Sequence, residues 1–199
     1  MKISNFQFED KSLEWRLEEL ALNKLTLLVG ASGVGKTQIL RALMGLKQIT
    51  EGSSLNGITW RIEFETLGKQ KYIWQGEFEN KGVSIFLDNE DDDEEDKKNK
   101  PKIIFEKLFL DDALIVNRTS DKILFNGQPT IKLSQQESIL SLLKEEELVK
   151  PAHDGLKKLH FTDHSNSVNA GRGLKFSFLN ANKLAKKYNT LEKIQESEI

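Results

Sequence analysis

The sequence predicts an α/β protein in three successive parts: a strand–loop–helix core, an antiparallel β-subdomain and a small helical C-terminal part. Three observations carry this expectation. An apolar run, Leu25–Val29, ends in a glycine-rich loop and passes into a helical period. Residues 57–132 then alternate apolar and polar side chains, with no helical period. From Ser134 onward, leucines and isoleucines recur at helical spacing.

Taken in order, Ile3, Phe6 and Phe8 alternate with polar neighbours as an opening strand, and Leu13, Trp15 and Leu17 repeat the pattern as a second. Leu25-Thr26-Leu27-Leu28-Val29 is a strand-length run with little alternation, the pattern of a strand buried on both faces in a parallel sheet. Ile39, Leu40, Leu43, Met44 and Leu46 follow at helical spacing, and Thr50–Ser54 is a polar loop that breaks the run. These elements make up a first segment, 1–56.

The second segment, 57–132, is a β-meander. Ile58, Trp60, Ile62 and Phe64 alternate, as do Tyr72, Trp74 and Phe78, with Gly68 between them as a hairpin turn. Trp15, Trp60 and Trp74 all fall on strand alternation, as core or sheet-face residues. Ile104–Phe109, Leu114–Val116 and Ile123–Phe125 add shorter strands. Asp88–Asp96, followed by Lys97, Lys98 and Lys100, is too dense in like charge to pack, so 88–100 reads as a mobile solvated tip. It lacks the glycine and ligand spacing of a calcium loop.

The third segment, 133–199, reads as a helical lobe. Ile139, Leu140, Leu142, Leu143 and Leu148 lie on one side of a helix, Ala152–Leu156 suggests another, and Leu159 and Phe161 a strand. Residues 165–174 are polar and loose, and an amphipathic stretch runs from Leu179 to Ile194.

Gly30-Ala31-Ser32-Gly33-Val34-Gly35-Lys36-Thr37 fits G-x-x-x-x-G-K-[ST], a Walker A phosphate-binding loop. Glycines keep Cβ atoms away so that backbone N–H groups can cradle phosphates, and Lys36 brings a compact positive charge to the β- and γ-phosphates. The Thr37 hydroxyl is placed to ligate Mg²⁺, and the helix that begins here adds its positive dipole end. Expected nucleotide contacts run from Gly30 through Gln38, which makes ATP and Mg²⁺ the expected ligands. The guanine-reading motif N-K-x-D is absent from the sequence.

Other motifs weigh less. Val83–Asp88 and Leu108–Asp112 imitate a Walker B strand but sit within the meander, where the second reads better as a strand–Asp-Asp turn–strand. Leu133-Ser134-Gln135-Gln136-Glu137 reads as a capping box, with Ser134 as N-cap and Glu137 at N3; its place between meander and helical lobe also resembles the Q-loop of ABC-type heads, which implies that Gln135 or Gln136 senses Mg²⁺ and the attacking water. His160, Asp163 and His164 do not converge on one face of a strand, which argues against a metal site.

The chain has 199 residues, of which 38% are hydrophobic and 30% charged, a soluble globular balance. Its net charge of −2 neither supports nor excludes a nucleic-acid partner. It has no cysteine, hence no disulfide or thiolate-ligated metal. No apolar run approaches the ~20 residues that span a bilayer, and no signal peptide opens the chain. The expectation is a cytoplasmic protein without a membrane partner.

With Ile3-Ser4-Asn5-Phe6, the Walker A segment Leu27–Thr37, the meander and Leu133–Leu143, the chain resembles the N-terminal lobe of ABC-type head ATPases related to RecF and SMC proteins, often described as AAA family ATPases. The resemblance implies a partial P-loop NTPase core and ATP-driven pairing, either as a homodimer or with a partner ATPase lobe. It also implies hydrolysis through a Walker B glutamate and a signature motif. No such Walker B, signature or switch histidine is legible here, so the expectation is ATP binding by a truncated or split N-terminal lobe. The other reading is a regulatory or interaction module that binds nucleotide without hydrolysing it.

Overall fold

Side chains that alternate along each strand put one apolar face on a single antiparallel sheet. The computed structural model describes residues 1–31, 33–82 and 100–160, and these contain eight strands. They are β1 (Lys2–Asp10), β2 (Trp15–Ala21), β3 (Ile58–Glu65), β4 (Lys71–Phe78), β5 (Ile103–Leu110), β6 (Ala113–Thr119), β7 (Ile123–Phe125) and β8 (Gln128–Pro129). Their order is β2-β1-β3-β4-β5-β6-β7-β8, with antiparallel pairing throughout. β1 ladders directly onto β3, from Lys2↔Glu65 to Asp10↔Ile58, so the opening hairpin and the meander share one sheet across residue 57. The described residues through Leu159 form one compact unit, Met1–Leu159.

The inner face carries Phe6 and Phe8, Ile58, Trp60, Ile62 and Phe64, then Tyr72, Trp74 and Phe78, all buried. Phe64 stacks on its cross-strand partner Tyr72, with ring centroids 5.6 Å apart, and Trp60 meets its diagonal neighbour Trp74 edge-on at 5.1 Å. Gly76 faces Trp60 across the β3–β4 ladder. A Cβ there would lie 2.6 Å from the indole and 3.0 Å from the Phe105 carbonyl oxygen, so the Trp60 ring occupies the space a side chain would need.

Helix α1 (Lys36–Thr50) contributes Ala42, Leu46, Ile49 and Thr50 to the core. Short α2 (Ile139–Leu142) and α3 (Lys150–Lys157) complete it with Ile139, Leu140, Ala152 and Leu156. The Tyr72 hydroxyl donates to the Leu148 carbonyl (3.0 Å), and burial together with nearby Asp111 pushes its pKa up to about 12, which keeps the donor protonated.

The helical lobe departs from the sequence expectation. The segment expected to coil from Ser134 to Leu148 is helical only over Ile139–Leu142, and its N-cap is Ser138, whose hydroxyl accepts from Leu140 N–H (3.0 Å). The cause is a buried ion pair. Glu106 and Arg118 face each other across β5 and β6, both almost fully buried. The Glu106 carboxylate accepts from Trp74 Nε1 (2.8 Å), Ser138 Oγ (2.5 Å) and Ile139 N (2.9 Å). Arg118 donates to the carbonyls of Glu137 (2.6 Å) and Ser134 (2.7 Å). Residues 134–138 are thereby drawn onto the pair in an irregular path, and the helix starts only beyond it. Burial pushes the Glu106 carboxyl up, while Ser138, Ile139, Arg118 and Trp74 pull it back.

Leu25–Val29, expected as a buried strand, belongs to neither sheet nor core: Leu25, Leu27 and Val29 are 89%, 82% and 77% exposed. Its apolar pattern signals a need for burial, and among the described residues no strand pairs with it. Ser32, Val83–Asp88, the acidic run, Phe161, Asp163, His164, the 165–174 loop and Leu179–Ile194 lie outside the described residues.

Gly76→Ala is expected to destabilise the chain by about 1–3 kcal/mol through overpacking against Trp60, read from a urea unfolding midpoint. Arg118→Met, which leaves the Glu106 charge uncompensated, is expected to cost about 3–5 kcal/mol. Adding Glu106→Gln should recover part of that loss in a double-mutant cycle, whereas additive losses would contradict the coupling.

Candidate functional site

The Walker A residues lie where the exposed run meets α1. Gly35 is the N-cap of α1, in the left-handed region (φ 91°, ψ 6°), and its carbonyl accepts from Gln38 N (2.9 Å) and Ile39 N (3.2 Å). Gly33 also has positive φ (83°) and open space around it, so backbone conformation alone calls for glycine there. Lys36, the first residue of the helix, folds over the loop: its Nζ donates to the carbonyls of Gly30 (2.7 Å) and Ala31 (2.6 Å). Ala31, Gly33, Val34 and Thr37 are exposed, and Gln38 is half-buried on the first turn.

The electrostatics suit an anion. The N-terminus of a fifteen-residue helix carries partial positive charge, the Lys36 ammonium sits at its mouth, and the first turn holds no acidic residue to compete. The donors therefore fit a phosphate group. Lys36 Nζ bonds to loop carbonyls, which a phosphate oxygen can replace with stronger charge-assisted bonds.

Sequence reasoning placed Trp15 only on its strand. The structure sets it beside the loop, with indole Nε1 3.8 Å from where a Gly35 Cβ would stand and its ring 6.1 Å from Phe8. The tight β1–β2 hairpin, in which Asp10 pairs with Trp15, brings it there. No signal local to Trp15 announces a contact twenty residues away.

The glutamines lie elsewhere. The Gln135 carbonyl accepts from Ile103 N (2.9 Å) and its amide donates to the Ser120 carbonyl (3.3 Å), while the Gln136 amide donates to the Lys100 carbonyl (3.4 Å). Glu137, the next residue, borders Gly52, just past the C-terminal end of α1. The phosphate loop is at the other end of that helix, about 22 Å away at roughly 1.5 Å per residue. Gln135 and Gln136 are thus not brought to Lys36. Asp111 and Asp112 form the β5–β6 turn, with φ of 45° and 69°, and Asp111 Oδ1 accepts from Lys71 N (3.0 Å), as the turn reading expects.

The family model described as ABC transporter matches residues 18–193, which include the whole phosphate loop. The chain belongs to the ABC transporter family. It is therefore an ABC-type P-loop protein, and its family binds ATP. No curated protein and no solved structure matches it. The sheet-rich α/β architecture with few helices is compatible with a partial core of this ABC-type fold. Among the described residues no helix is long and apolar enough to cross a membrane.

The exposed run sits immediately before the loop. Among the described residues no backbone hydrogen bond joins Leu25–Val29 to another segment. Serine at both Leu25 and Leu27 should therefore shift unfolding free energy by no more than about 0.5 kcal/mol in chemical denaturation. A loss of about 2 kcal/mol or more per site would mean that these leucines are buried in solution.

Proposed function

We propose that this chain is the Mg-ATP-binding N-terminal lobe of an SMC-like, AAA family head ATPase. The observation that carries the reading is Lys36 at the N-terminus of α1, folded over a loop whose glycines expose backbone to an incoming phosphate. In this reading the residues from Gly30 to Gln38 surround the triphosphate, and Lys36 binds the β- and γ-phosphate oxygens. The Thr37 hydroxyl ligates Mg²⁺, which when bound neutralises phosphate charge. The helix dipole and loop N–H groups add stabilisation at the same oxygens.

In this reading a partner lobe packs beside the loop. Leu25–Val29 has the length and apolarity of a sheet strand but, among the described residues, no backbone partner, and Ile39, Leu40 and Met44 of α1 stay half-exposed outside the core cluster. A helix with apolar residues on both sides belongs between two layers, and the described sheet provides one. Hydrolysis then depends on Walker B and signature elements that complete the site from that second layer.

The test is Lys36→Ala. Two charge-assisted bonds to phosphate, at about 1.5–3 kcal/mol each, correspond to a loss of about 100-fold or more in ATP affinity by calorimetry. Since the side chain is surface-placed, the unfolding free energy in urea should stay within about 0.5 kcal/mol of wild type. Equal ATP affinity in the two proteins would sink the reading.

A second reading, nucleotide binding without hydrolysis, is favoured by one finding: the glutamines stand at the far end of α1 from Lys36, and Asp111-Asp112 serve a β-turn. It predicts no turnover above background by the isolated chain in a phosphate-release assay. Magnesium-dependent release that disappears in Lys36→Ala would reject it.

A further inference from the structure

We draw no further inference here: the strongest candidate, the apolar run Leu25–Val29 beside the phosphate loop, belongs to the site already described, and nothing in the structure shows what covers it.

Discussion

A carboxylate and a guanidinium buried side by side under the sheet decide how this chain passes from strands to helices. Glu106 and Arg118 leave water at a cost of several kcal/mol per ion, and their mutual attraction alone does not return it. What makes the pair tolerable is the segment it captures. Carbonyls from Ser134 and Glu137 satisfy the guanidinium, while the Ser138 hydroxyl, the Ile139 amide and the Trp74 indole satisfy the carboxylate. A polar network of this kind is stable only when complete, so it fixes the path of residues 134–139 more tightly than apolar packing would. Through Glu137 and Ser141, which border Gly52, the fixed path reaches the C-terminal end of α1, and α1 carries the phosphate loop at its other end.

Much of the fold was legible because the signals were local. Period-two alternation in Ile58–Phe64 and Tyr72–Phe78 put the right side chains on the buried face, and Asp111-Asp112 read as a turn from its own chemistry. The local geometry of the glycine-rich loop was equally legible, since Gly33 and Gly35 take positive φ and Lys36 folds back over the loop within eight residues. Failures of the sequence reading share a cause in distance. The helix start moved from Ser134 to Ser138 because Arg118, sixteen residues upstream, takes the Ser134 carbonyl. Trp15 met Gly35 because of a hairpin, and Gly76 is obligatory because of an indole on the neighbouring strand. Apolar character in Leu25–Val29 pointed to a buried strand, whereas the described structure leaves the run exposed, because composition carries no information on whether a pairing partner is present.

Among the described residues the glycine-rich loop is consequently held from one side. Its C-terminal flank is α1, whose inner face is packed into the core, while among the described residues no ladder holds its N-terminal flank. Ligand binding to such a loop carries an extra charge, because fixing a backbone residue costs about 1–2 kcal/mol. Whatever part of that ordering the fold has not already met is deducted from affinity, as for any site whose competent state is only partly populated.

The same flank has a colloidal consequence. Leu25–Val29 is uncharged, free of proline and glycine, rich in branched aliphatic residues and open along its backbone, which is the composition from which cross-β stacking starts. Lys24 is the nearest charge and acts as a gatekeeper at one end, while Gly30 closes the other. Any stacking of neighbouring copies through this run would be opposed locally by Lys24, a repulsion that salt screens.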